Sequence, residues 1–264
     1  MTAVNIADLH MEDTPTFIAT LNIKYGPTDL FGRFFLAADA EMKKIGVTLH
    51  LGTFHGLLAL NSANRDSWLK LVSTFDPGCN DLPSGSAFCL MGVDCRGDIV
   101  ATQCARHFDM RCCSITEMAK NLSLFYEYPE FFGMPGERCE VTAKGVEEIK
   151  GQVAWSGGGW YRPDFRGKGL IGILPRVTRA YALTQWRIDY AVSIMSSAVY
   201  NPSRFKRNGF AHSEGWLKHY NSPWGDIEFM MLWMNRKEIL EDTEQFLCGL
   251  RRSEDRVDMG DANQ

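Results

Sequence analysis

The chain has 264 residues, a net charge of −4, 45% apolar and 23% charged residues. That composition belongs to a globular protein with ample apolar surface for a core. It makes no electrostatic case for a nucleic-acid partner. No apolar run reaches the length of a membrane span, and Met1 to Asp13 is too polar and acidic for a secretory signal. The eight cysteines include no Cys-x-x-Cys pair and no zinc-type spacing with histidine. They read as free thiols of a cytoplasmic protein, and no metal site is expected.

Taken in chain order, Thr16 to Lys24 alternates and predicts an opening strand. Leu30 to Ile45 carries helical spacing and ends at Gly46. Leu49 to Leu60 is apolar and ambiguous, and Asp66 to Phe75 predicts a short helix stopped by Asp76-Pro77-Gly78. Ser86–Val93 and Ile99–His107 form a hairpin about Arg96-Gly97-Asp98. Ile115–Tyr126 predicts a helix, followed by an aromatic loop through Gly136. Gly151–Tyr161 predicts a strand, Leu170–Leu183 a helix, and Arg187–Met195 a buried strand. A short helix from Asn201-Pro202 to Asn208-Gly209 and two late strands, Phe210–Tyr220 and Ile227–Met234, follow. Asn235–Leu250 is an amphipathic helix, and 251–264 is expected to be a flexible tail. The order favours one mixed α/β domain over 1–250, with 110–150 as an enlarged insertion.

The most informative stretch is Tyr161 to Gly172, Tyr-Arg-Pro-Asp-Phe-Arg-Gly-Lys-Gly-Leu-Ile-Gly. It sits where a strand ends and a helix begins. Glycines let the backbone turn sharply, and a helix N-terminus offers N–H groups and partial positive charge to an anion. Arg166 and Lys168 add charge for phosphate oxygens. The stretch is neither a Walker A loop nor Gly-x-Gly-x-x-Gly. The Gly157-Gly158-Gly159 run inside the preceding strand reads either as a bulge or as a place where a ligand approaches the backbone.

With these residues in hand, the chain from Gly151 to Phe210 resembles the GCN5-related N-acetyltransferase (GNAT) superfamily. Arg166 and Gly169 match the first and fourth places of that family's acetyl-CoA loop, and Ile171 stands at the sixth, one residue before Gly172. Asn201, Gly209 and Phe210 match its later helix and Gly-Phe pair. The resemblance implies a mixed sheet splayed between the fourth and fifth strands, with helices on both faces. It implies acetyl-CoA or another acyl-CoA as co-substrate, held by Ser156, Gly157, Gly158, Trp160 and Tyr161 of the strand, by Arg166, Gly167, Lys168, Gly169 and Leu170, and by Asn201 and Phe205. The implied activity is acyl transfer to a small-molecule or peptide amine, by direct attack in a ternary complex. The alternative is a catalytically silent coenzyme A sensor or protein-interaction module of the same fold.

For the chemistry, the family's usual thiolate acid is a tyrosine, and the matching position here is Phe205. Tyr200 and Ser203 flank the same helix start and could replace it. Glu140 and His107 are candidate bases, and His219 and Tyr220 lie on the expected link between the last strands. Phe125, Tyr126, Tyr128, Phe131 and Phe132 could wall an acceptor or long-acyl pocket, or form a satellite core. Arg204, Lys206, Arg207 and Lys218 could hold the 3′-phosphate of coenzyme A or the acidic face of an acyl carrier protein, or be a solvated helix face. Oligomeric state stays open.

Overall fold

The computed structural model describes residues 14–261. Met1–Asp13, read above as no secretory signal, lies outside them, as do residues 262–264 of the expected tail. The chain runs α1 (Phe17–Thr20), α2 (Thr28–Lys44), β1 (Val47–Gly52), α3 (Phe54–Ala63), β2 (Ala87–Asp94), β3 (Ile99–Met110), α4 (Ile115–Lys120), α5 (Pro129–Phe132), β4 (Arg138–Val141), β5 (Gly151–Tyr161), α6 (Leu170–Trp186), β6 (Tyr190–Ser196), α7 (Pro202–Asn208), β7 (His212–Ser222), β8 (Gly225–Asn235) and α8 (Arg236–Asp261). The eight strands form one mixed, open sheet in the order β1-β2-β3-β5-β6-β8-β7-β4. All neighbours pair antiparallel except β5 and β6, which are parallel.

Each face of the sheet buries its own core. On one face α2 and α6 pack Phe31, Phe34, Phe35, Leu174 and Val177 against Leu49, Phe88, Leu90 and Ala154. In α2 the buried positions Leu30, Phe31, Phe34, Phe35, Ala38 and Met42 fall at helical spacing, which is what seats it there. On the other face Phe54, Leu57, Phe75, Ile115, Phe125 and Tyr126 meet Cys89, Cys104, Val153 and Trp155. Every residue of β2 is buried, as expected for a strand covered on both sides.

Several expectations are corrected. Thr16–Lys24 is not a strand. Thr16 Oγ1 accepts from the Ala19 N–H at 3.3 Å and caps α1. Lys24 and Tyr25 then donate to the Thr184 carbonyl, so the segment leans on α6, and it pairs with β1 at a single Thr16–His50 bridge. The ambiguous Leu49–Leu60 stretch divides into β1 and α3. Asp66–Phe75 holds a 3₁₀ turn, Ser73–Phe75, and no longer helix. Residues 110–150, expected as an insertion, contribute β4, an edge strand. The helix expected to stop at Leu250 continues to Asp261. The strands counted above as fourth and fifth are therefore β5 and β6.

Candidate functional site

The parallel ladder of β5 and β6 is short. It runs from Val153↔Tyr190 to Ser156↔Ser193 and stops, while both strands continue. Beyond that point β5 stays with β3 through Thr102↔Trp160 and Ala101↔Tyr161. Meanwhile β6 stays with β8 through Ser196↔Phe229. A wedge-shaped gap opens between them. Two serines close its apex: Ser156 Oγ donates to the Val192 carbonyl at 3.2 Å, and Ser193 Oγ donates to the Ser156 carbonyl at 2.9 Å. Trp155, one residue before the apex, is fully buried, and its Nε1 has no partner among the described residues.

The glycine run sits at the start of the divergence. Cys104 faces Gly157 and Thr102 faces Trp160, so Gly158 and Gly159 together oppose Gln103 in a β-bulge. Gly158 has φ +62°, and its carbonyl accepts from Thr102 Oγ1 at 2.7 Å. A Cβ on Gly157 would lie 2.6 Å from the Phe75 ring, and one on Gly159 would lie 2.8 Å from Gln103 Oε1. These glycines therefore serve the bulge and make room for the protein's own side chains.

At the open end of the gap, β5 passes through a 3₁₀ turn, Pro163–Phe165, into the loop that begins α6. Gly167 and Gly169 take φ of +80° and +92°, and a Cβ on either would meet nothing within 4 Å. Gly169 is the N-cap of α6, no side chain caps that end, and no acidic residue stands in its first turn. By helix geometry the first N–H groups lack intrahelical acceptors. Lys168 is exposed, its Nζ 4.2 Å from the centre of the Phe165 ring. The loop thus fits a phosphate-bearing group at a helix N-terminus. Arg166, expected on phosphate, donates to the carbonyls of Tyr161 (3.0 Å) and Ser67 (2.8 Å).

No local pattern announces the segment that lies beside the gap. Trp160 stacks on Trp68 at 5.3 Å, and its Nε1 donates to Ser67 Oγ at 3.1 Å. Trp224, in the turn between β7 and β8, donates from Nε1 to the Lys70 carbonyl at 2.9 Å. With Phe75 over Gly157, the 67–75 segment spans from the β5 side to the β7–β8 turn. A second unforeseen network anchors α7. Arg179, 2% exposed, donates to the Asn208 carbonyl (2.8 Å) and to Asp242 (3.2 Å). Arg176 holds the same carboxylate and the carbonyls of Gly172 and Arg207. Burial draws the Arg179 guanidinium down to about 10, against the pull of Asp242.

The predicted chemical residues are spread over several elements rather than gathered at the gap, and the Tyr200 hydroxyl lies over β7, two strands beyond β6. Tyr200 follows β6, its N–H bonded to the Ser196 carbonyl at 2.9 Å and its hydroxyl 3.3 Å from Ser213 Oγ. Asn201 and Ser203 are exposed at the start of α7, where the Asn201 carbonyl accepts from the Phe205 N–H. Phe205 is half-buried and lines, with Arg176, Lys206 and Phe210, a hollow of about 410 Å³ between α7 and α8. Glu140 is not brought there. It is exposed on β4, three strands beyond β6, or about 14 Å at ordinary strand spacing. His107 pairs with Ala154, about 10 Å below Gly157, and stacks on Trp186 at 5.4 Å. Burial lowers its pKa, opposed by Gln152 and Asp109.

His219 is fully buried on β7 rather than in a solvated link. Its Nε2 lies 2.6 Å from Glu137 Oε1, and Glu137 also accepts from Tyr126 Oη and the Met134 N–H. Burial alone would raise the Glu137 carboxyl. These hydrogen bonds, His219's foremost, outweigh it and hold the carboxyl below its usual range. Phe125 and Tyr126 are core residues, whereas Tyr128, Phe131 and Phe132 are 52%, 79% and 42% exposed. Lys206 and Arg207 are exposed on α7, but Lys218 is paired with Glu228 at 3.0 Å on another element. No helix is long and apolar enough to cross a membrane among the described residues. No group of His, Cys, Asp and Glu there could hold a metal.

No family model matches the chain, and no curated protein does. Solved structures similar to it include the aminoglycoside acetyltransferase AAC(6')-Ib in complex with coenzyme A and kanamycin (15% identity, TM-score 0.43, covering 73% of this chain and 96% of that one). They also include NAA60 of Arabidopsis thaliana with a bisubstrate analogue (12%, 0.45, 72% and 97%). A third is the spermidine/spermine N-acetyltransferase SpeG of Vibrio cholerae (10%, 0.43, 74% and 97%). The first and third are named as acetyltransferases. Likeness at this level assigns no role to any residue.

Proposed function

We propose that the chain is an acyl-CoA-dependent N-acyltransferase that moves an acetyl or longer acyl group to an amine in a ternary complex. The observation that carries this reading is the end of the β5–β6 ladder at Ser156 and Ser193, with an open, glycine-turned helix N-terminus at the mouth of the same gap. A gap between parallel strands frees backbone N–H and C=O groups for a pantetheine-like amide chain, and the loop beside it suits a pyrophosphate.

In this reading Gly167, Lys168, Gly169 and the first turn of α6 hold the phosphates. The β5 edge from Ser156 to Trp160 lies along the pantetheine, and a backbone N–H near Ser156 to Gly158 faces the thioester carbonyl. The amine attacks that carbonyl, the carbon–nitrogen bond forms and the nitrogen loses a proton, the carbon–sulfur bond breaks, and the departing thiolate takes a proton. Tyr200 is the candidate donor, since Phe205 cannot donate. Glu140 and His107, away from the gap, drop out as bases.

Thermal denaturation with acetyl-CoA and a longer acyl-CoA tests the reading. Acyl-CoA at about 100 times its Kd adds about 2.7 kcal/mol. No stabilisation by any acyl-CoA overturns the proposal. Stabilisation without thiol release across a panel of amines favours a coenzyme A-binding protein without transfer, the reading that the half-buried Phe205 supports. If transfer occurs, Tyr200→Phe lowers kcat about 100-fold with KM for acyl-CoA unchanged. Unchanged turnover removes Tyr200.

A further inference from the structure

β4 ends the sheet, and among the described residues only β7 pairs with it. One residue past β4, the Thr142 N–H donates to the Trp216 carbonyl at 2.8 Å. Bonded and open positions alternate along an antiparallel ladder. The backbone N–H and C=O of Arg138 and Glu140 therefore turn toward β7, and those of Cys139 and Val141 toward the outer edge. Arg138 and Glu140 lie two residues apart on the same face. Their side chains are 57% and 56% exposed and 3.9 Å from each other. The Arg138 guanidinium rests over the Tyr220 ring at 4.0 Å, and Glu140 stands opposite Lys218, whose ammonium is taken by Glu228. The loop that leads into β4 exposes Tyr128, Phe131, Phe132 and Met134.

We propose that this edge binds a second copy of the chain, β4 against β4, antiparallel, about a two-fold axis at Cys139. In that register Cys139 faces Cys139 of the second copy across the outward backbone groups. Arg138 then faces Glu140 of the second copy, and Glu140 faces its Arg138. Opposite charges directly across a pair of strands attract, and like charges repel. Moving the axis by one residue either way places arginine on arginine or glutamate on glutamate, so the charge pattern selects one register. Edge strands that avoid pairing commonly carry charged side chains; the two on this edge are of opposite sign and stand in self-complementary order. Four residues of strand are too few for a stable dimer, which covers about 800 Å² on each partner. The exposed apolar loop next to β4 supplies further area. The β5–β6 gap, three strands away, stays open in both copies.

Sedimentation equilibrium of the full chain tests the proposal. The expected wild-type mass is twice 29.8 kDa. R138E puts two acids on the edge face and E140R two bases, so each alone sediments as a monomer. The double variant R138E/E140R restores the dimer, and so does mixing the two single variants, whose faces are then complementary. Both side chains are exposed, so neither change opens a core. A monomeric wild type, a dimeric R138E chain, or single variants that fail to associate on mixing would each overturn the β4 pairing. Acyl-CoA binding is indifferent to these changes, which keeps this outcome separate from that of the proposed activity.

Discussion

Two glycine-rich stretches, eight residues apart, look alike in sequence and differ in cause. At Gly157 and Gly159 the space a Cβ would need is already filled by Phe75 and Gln103. At Gly167 and Gly169 the space is empty and the backbone alone demands glycine, through φ of +80° and +92°. The first stretch is a requirement of folding, set by a bulge and by packing. The second leaves open ground before an uncapped helix N-terminus. In the proposed reading the second holds the phosphates, and the first offers its strand backbone to the pantetheine while its glycines are set by the bulge and by packing.

The sharpest way to break that comparison is at Gly157. Gly157→Val drives a branched side chain into Phe75 and should cost about 3 kcal/mol in urea denaturation, with part recovered by Phe75→Leu. A loss below about 0.5 kcal/mol would mean that the ring does not hold this glycine in place. Next in size, Gly169→Asp should erase the acyl-CoA stabilisation of about 2.7 kcal/mol expected for the wild type at 100 times Kd. Its own cost to the unliganded fold, from backbone strain, is about 1–2 kcal/mol. Retained acyl-CoA binding in a folded G169D chain would move the site off this loop. Lys168→Ala, at an exposed position, should weaken acyl-CoA binding by about 1 kcal/mol, roughly fivefold, without moving the melting temperature.

The smallest effect concerns His107, at the paired end of the sheet. Its folded pKa lies below the ordinary 6.5, so folding favours the neutral ring. Its contribution is fully present above about pH 6.5 and is lost as pH falls from there toward the folded pKa, because the unfolded chain takes the proton first. His107→Phe should flatten the slope of stability against pH in that window. A slope unchanged by the substitution would show that other groups set it.

The elements closest to the site were legible because each carries a local cause. β5 spans the residues expected, Gly151 to Tyr161, and α6 begins at Leu170, because apolar alternation gives way to turn glycines and then to helical spacing. The hairpin of β2 and β3 follows from two apolar runs about a turn glycine. Where the reading failed, the deciding contact was distant. Thr16–Lys24 alternates like a strand, but Thr16 caps a helical turn and the Lys24 N–H goes to the Thr184 carbonyl, 160 residues on. β4 is four residues long and partly charged, and only the presence of β7 makes it a strand. Arg166, expected on phosphate by its place in the loop, also reaches the carbonyl of Ser67, a contact that no local pattern announces. Nothing near Glu137 in the sequence foretold that His219 would meet it in the core.

By itself the sequence determined the turn at 161–172, its two obligatory glycines and the elements on either side, because backbone sterics and hydrophobic periodicity act over a few residues. The tertiary structure alone decided where the β5–β6 ladder stops, which glycines serve packing, and which charged side chains the fold itself uses. Those outcomes depend on volume and hydrogen-bond partners contributed by segments far apart in the chain, and no local pattern records them.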